Sequence, residues 1–206
     1  MRRVVVILAA LTLSLGLIQG TAHAVPPNIP SASVAAAELA ALTVAPESNQ
    51  SSYDRSLFPH WITISGSCNT RETVLRRDGT GVVVNSSCYP TSGSWFSPYD
   101  GATWYAASDI DIDHLVALAE AWRSGAHAWT TAKRRSFAND LGNAQLWAVT
   151  DYVNQAKGDK DPAAWKPPLP SFWCTYARAW IDVKYEWGLT VDAAEKSELT
   201  AMLGHC

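Results

Sequence analysis

The 206-residue chain contains no G-x-S-x-G elbow, no P-loop and no G-x-G-x-x-G fingerprint. Elbow-type serine hydrolases, P-loop nucleotide hydrolases and dinucleotide enzymes are therefore without their signatures here. There is no C-x-x-C pair, so a structural zinc lacks its usual ligand spacing. No internal repeat appears. The apolar run from Val4 to about Leu17 is too short to cross a bilayer comfortably. A surplus of positive charge is missing too, with 16 Lys and Arg against 19 Asp and Glu. That balance counts against gripping nucleic acid by bulk charge, although a local groove depends on where the charges sit.

What is present begins with a leader. Arg2 and Arg3 precede the apolar run, and Ala22-His23-Ala24 ends it, the layout of a secretory signal peptide over residues 1–24. Cleavage there leaves 182 residues and a net charge of −5, since the leader carries two basic and no acidic residues. Four cysteines, Cys68, Cys88, Cys174 and Cys206, remain. An even number in a secreted chain suggests two disulfides. Of three pairings, Cys68–Cys88 with Cys174–Cys206 closes a loop within each half of the chain. Oxidised cysteines also leave no thiolate for nucleophilic catalysis. The ten tryptophans mostly sit at helical spacing among apolar residues, which favours core over a stacking surface.

Residues 25–52 are rich in Ala, Pro and Ser and read as a flexible or loosely docked arm, helical at most over Val34 to Val44. The globular part is expected from Tyr53. Asn69 with Glu72 is a capping-box start for a helix to Arg77, stopped by Asp78-Gly79. Val82 to Asn85 and Gly93 to Phe96 read as strands, and Tyr99-Asp100-Gly101 as a turn. Asp109 to Asp113 alternates acid and isoleucine, a strand with the isoleucines facing in. Helices follow over Val116 to Arg123 and after Thr130 or Thr131. Gln145 to Val149 is a strand, and Thr150 can cap a helix carrying Asn154 and Lys157. Asp161-Pro162 reads as a further helix start. Phe172 to Trp187 is a long amphipathic helix stopped by Gly188, and Asp192 with Glu195 caps a last one.

Cutting a phosphodiester needs a base for water, a cation for the developing charge and a hold on the phosphate. A histidine suits the first role, and hard oxygen ligands for Mg²⁺ suit the second. Here His114 can be the base, Asp113 and Asn154 the metal ligands, and Lys157 a phosphate contact. Asn143 can bond backbone across the intervening loop and so fix the imidazole. Adjacent strand residues point to opposite faces. The strand must therefore end or bulge if Asp113 and His114 are to serve one site. Asp109 and Asp111 read as a solvated strand face, and His60, His127 and His205 as packed or surface histidines. Lys133-Arg134-Arg135 is either a solvated helix face or part of a groove for DNA.

The order Asp113-His114-Leu115-Val116, then Ala119 to Ala126, then Phe137-Ala138-Asn139-Asp140-Leu141, then Asn154 to Asp159 resembles the HNH endonucleases. It is more closely similar to the secreted proteins grouped with the C-terminal domain of GmrSD-type restriction enzymes (the DUF1524 group). Cys68-Asn69-Thr70-Arg71, Cys174 and Cys206 also match, so the resemblance covers roughly residues 53–206. It implies an α+β fold with a ββα-metal core wrapped by helices. It implies His114 as general base, oriented by Asn143, and one divalent ion, Mg²⁺ or Mn²⁺, on Asp113 and Asn154. Lys157 and Arg71 would be phosphate or structural contacts. Ala117 stands where the family usually has Pro, and Ala144 where it usually has Leu.

The expected function is a secreted, monomeric, metal-dependent endonuclease acting on DNA with little sequence preference, with RNA left open as a second substrate. Its rate should fall when His114 is protonated. One alternative is an exported, non-enzymatic module binding glycan or protein on the same scaffold. Another is a cell-wall hydrolase using a carboxylate pair drawn from Asp109, Asp111 and Glu120, whose spacing singles out neither acid nor base.

Overall fold

The computed structural model describes residues 26–206. The leader expected over residues 1–24 lies outside the described residues. Helix α1 (Ala32–Ala41) is capped by the Ser31 side chain, which accepts from the Val34 amide. Ala35, Leu39 and Leu42 fall on one helical face and are buried against the C-terminal helices. The chain continues as a parallel bridge between Val44 and Val191. This corrects the expectation of a flexible arm over residues 25–52. Small Ala and Ser residues masked an i, i+4, i+7 stripe that is enough to dock the helix.

Two 3₁₀ turns, Gln50–Ser52 and Arg55–Leu57, lead to buried Phe58. Strands β1 (Thr63–Ser65) and β2 (Cys68–Asn69) pair, and α2 (Thr70–Asp78) starts on the reciprocal Asn69–Glu72 capping box. Strands β3 (Gly79–Val84), β4 (Pro90–Phe96) and β5 (Thr103–Trp104) form an antiparallel sheet. The Cys68–Cys88 disulfide ties β2 to the β3–β4 connection.

Strand β6 (Ile110–His114) then pairs antiparallel with β7 (Leu146–Thr150). Their connection carries α3 (Leu118–Arg123) and α4 (Thr131–Ala138). Helix α5 (Asp151–Lys157) follows β7 directly. Thr150 precedes α5 without capping it, because its hydroxyl bonds Asp100 and the Trp104 indole. Asp161-Pro162 starts a turn rather than a helix. Helix α6 (Trp173–Trp187) stops at Gly188, whose φ of 66° is readily adopted by glycine. Helix α7 (Ala193–Leu203) begins on the Asp192–Glu195 capping box, and Cys174–Cys206 joins α6 to the C-terminus.

The architecture is α+β with two disulfides, and the buried residues form two clusters. One lies under α1, α3, α4, α6 and α7, and the other between α2, β4, β6 and β7. Trp95, Trp147 and Trp180 are among the largest fully buried side chains, as expected of core tryptophans. The β6 strand runs along the second cluster and ends at His114.

Candidate functional site

Alternation along β6 sends Ile110 and Ile112 into the core and Asp111 and Asp113 to the opposite side. The register with β7 is regular to the end, with His114 opposite Leu146 as the last pair. The strand therefore stops at the Asp-His pair instead of bulging. A cleft of about 430 Å³ opens there, lined by Tyr53, Arg55, Asp113, His114, Asn154 and Asp159 among others.

Asp113 and His114 are each only 5% exposed. One Asp113 oxygen accepts the Tyr99 hydroxyl at 2.6 Å, and the other accepts the Lys157 ammonium at 2.8 Å. Lys157 is fully buried and also donates to the His114 carbonyl at 3.0 Å. Burial raises the proton affinity of Asp113 by more than the Lys157 charge and these two hydrogen bonds lower it. Asn154 gives its Nδ2 to Asp111 at 3.0 Å, which leaves Oδ1 as its acceptor end.

The His114 ring is fixed from two sides. Its Nε2 lies 2.9 Å from the Ala138 carbonyl, and Trp61 stacks on it with centroids 5.3 Å apart. A carbonyl can only accept, so Nε2 carries the proton and the neutral ring keeps its lone pair on Nδ1. Burial lowers the ring's proton affinity. The Ala138 bond opposes this, while the charges of Arg55, His60 and Lys157 add to it, for a pKa of about 3. The imidazole is thus a neutral acceptor across the physiological range.

A family model described as GmrSD restriction endonucleases, C-terminal domain, matches residues 82–202, more than half of the chain. The chain belongs to this family. An uncharacterized secreted protein of Arthroderma benhamiae is 68% identical over 181 residues, covering 88% of this chain and 89% of the relative. The chain is secreted, and its two disulfides suit an oxidising compartment. No solved structure matches it.

Of the residues nominated for a site in this GmrSD-type chain, Asp113, His114 and Asn154 share the cleft. Asn143 turns elsewhere: its Nδ2 donates to Asp140 at 2.9 Å and its backbone amide bonds the same carboxylate. The Ala138 carbonyl holds the imidazole in its place. Lys157 is consumed by Asp113. Arg71 donates to the Ala107 and Ile110 carbonyls at 3.2 Å each, tying α2 to the start of β6. Within the basic cluster, Arg134 is buried on the Leu57 carbonyl and Lys133 donates to the Trp187 carbonyl over the Trp129 ring. His127 bonds the Trp122 carbonyl and His205 is exposed. His60, half-buried, lies with its ring 6.4 Å from that of His114.

The loop after His114 is pinned by Gln145. Its carbonyl accepts from Leu115, and its side chain exchanges two hydrogen bonds with Val116. The family departures at Ala117 and Ala144 thus sit in a loop that is still held. The sequence pattern did not single out Tyr53, Arg55, Trp61 or Tyr99. Tyr99 read only as a turn residue, and nothing local marks it as the partner of an aspartate fourteen positions on.

Asp113 and Asn154 present a carboxylate and an amide to one cleft, both hard oxygen donors. Mg²⁺ is commonly held by one or two such oxygens, with water and substrate phosphate completing its shell, and this donor set fits an ion held that way. It does not fit an ion caged by protein. Among the described residues no group of three or more His, Cys, Asp or Glu side chains is placed to hold a metal. An ion here would share the Asp113 carboxylate with Lys157.

Proposed function

We propose that this protein is a secreted, metal-dependent endonuclease that hydrolyses DNA phosphodiester bonds with little sequence preference. The observation that carries the reading is the buried, neutral His114, locked through Nε2 so that Nδ1 is its base, at a cleft shared with Asp113 and Asn154. The family membership supports it, as does the order β6–β7–α5, in which two antiparallel strands run directly into a helix. That order is what a ββα-metal, HNH-type core requires. In this reading His114 Nδ1 takes a proton from water, the oxygen attacks phosphorus in line, and the bond to the 3′ oxygen breaks. A divalent ion, if bound here, would supply charge neutralisation for the phosphoryl transfer. Asp113 and Asn154 would hold it, with Tyr99 and Lys157 orienting the Asp113 carboxylate. The Ala138 carbonyl and Trp61 keep the imidazole from turning.

One observation favours a second reading. The Lys157 ammonium already neutralises Asp113, as it would in a binding module built on a scaffold that had lost its metal. Plasmid nicking by the oxidised mature protein separates the two. We expect nicking in Mg²⁺ or Mn²⁺, none in chelator and none from His114→Ala. A folded protein that cuts under no metal, or a His114→Ala variant that cuts as the parent does, would favour the binding module.

A further inference from the structure

Among the described residues, the cleft contains one cation that no ion pair has already spent. Its charged lining residues are Arg55, Asp113 and Asp159. Asp113 is paired with Lys157, and Asp159 with Arg123 at 2.6 Å. Lys160, next along the chain, caps the Ala156 and Lys157 carbonyls. None of the ion pairs among the described residues involves Arg55. Its side chain is exposed and lines the cleft together with Tyr53 and His114.

The backbone beneath it is fixed. The Asp54 side chain caps the Arg55–Leu57 turn, the Leu57 carbonyl accepts from Arg134, and the Trp122 indole donates to the Asn49 carbonyl. A guanidinium presents a planar fork that matches two phosphate oxygens, and a pre-set base lowers the entropy lost in using it.

We infer that Arg55 grips the phosphodiester that lies over His114, as the substrate-binding cation of this cleft. The role expected of Lys157 and Arg71 passes to a residue in the turn before Phe58. This inference rests on the nuclease reading for its substrate.

The test uses the oxidised mature protein with Arg55→Ala, Arg55→Lys and, as a charge-matched control outside the cleft, Arg76→Ala. Steady-state plasmid nicking in Mg²⁺ gives KM and kcat. Fluorescence anisotropy of a labelled DNA duplex, in the parent and in each variant with chelator present, gives affinity apart from cleavage. Loss of a charge-assisted phosphate contact should raise KM and weaken duplex binding roughly tenfold or more in Arg55→Ala, with kcat changed less. Arg55→Lys should lie between it and the parent, and Arg76→Ala within about twofold of the parent. Arg55→Ala and Arg76→Ala behaving alike in both assays would overturn the assignment while leaving a cutting parent enzyme intact. A parent that cuts in no metal would sink the nuclease reading alone, because the anisotropy comparison still decides Arg55. In that case, weaker binding confined to the Arg55 variants upholds it and equal binding refutes it.

Discussion

Replacing Lys184 with methionine should cost this protein a large share of its stability. Lys184 is fully buried on α6, and its ammonium meets Glu120 at 2.8 Å, Glu195 at 2.7 Å and the Thr190 carbonyl at 2.9 Å. Arg123 continues the network to Glu120, Glu47 and Asp159. Burial would raise Glu120, but Lys184, a hydrogen bond from Glu47 and Arg123 override it and hold its pKa at about 2. Burial pushes Glu195 up to about 7 even with Lys184 beside it. Methionine fills a similar volume but strips two buried carboxylates of their shared counter-charge. Breaking a buried pair from one side costs about 3–5 kcal/mol, against a total of about 5–15 kcal/mol for a typical domain. For a domain of this size that is a fall of roughly 6–20 °C in melting temperature. The assay is thermal unfolding at pH 7 with both disulfides intact, followed by near-ultraviolet circular dichroism. Adding Glu120→Gln and Glu195→Gln to Lys184→Met should recover part of the loss, since neutral groups no longer need the cation. The defect should also shrink toward pH 5, where Glu195, left without the cation, takes up a proton. A Lys184→Met protein melting within about 2 °C of the parent would refute the argument.

Two further outcomes follow from buried titratable groups. Asp182 on α6 has an oxygen without a hydrogen-bond partner, as does Glu38 on α1. Burial, then the charges of Glu38, Glu186 and Asp140, raise Asp182 to about 6. A raised carboxyl stabilises the fold below its unfolded pKa and loses that contribution as pH rises through 6, so Asp182→Asn should gain about 1 kcal/mol at pH 7 and nothing at pH 4. Urea titrations at the two pH values test this, and equal gains would contradict it. For His114, burial first and nearby charges next hold the ring neutral to about pH 3. The nicking rate should therefore lack the acid limb near 6.5 that a solvated histidine base gives. A limb near 6.5 in the parent would mean the ring is open to water.

Much of the frame was legible because its signals are local. Asn69–Glu72 and Asp192–Glu195 satisfy their own helix starts, so four residues suffice to read them. The acid–isoleucine alternation at 110–113 gave β6, and Gly188 gave the end of α6. The disulfide pairing followed from loop closure within each half. What escaped was set by distant partners. The Ala-rich stretch looked like an arm because alanine marks a buried face weakly, and only α6 and α7 reveal that Ala35 and Leu39 have somewhere to go. Lys157 looked like a phosphate contact because its helical face was visible and its burial was not. Asn143 looked like the imidazole's anchor because an asparagine between two motif blocks has no other visible duty. Its partner, Asp140, builds the same loop, and the anchor is a backbone carbonyl that no side-chain pattern can advertise.

The acidic composition no longer argues against nucleic acid once the charges are placed. The excess of negative charge lies in the network where Arg123 and Lys184 face four carboxylates, Glu47, Glu120, Asp159 and Glu195, and in the cluster of Glu38, Asp182 and Glu186 on α1 and α6. Inside the cleft, Asp113 is paired with Lys157 and Asp159 with Arg123, while none of the ion pairs among the described residues involves Arg55. A site of that kind grips one phosphate and lacks the stripe of cations that holds many. The salt dependence of binding reports that number, since log K falls with log salt at about 0.9 per phosphate neutralised on duplex DNA. Anisotropy across a salt series should give a slope near −1 for the parent and near zero for Arg55→Ala. A slope steeper than about −4 would mean that a basic surface outside this cleft dominates binding. The exposed Arg135 on α4 would then be the first residue to remove.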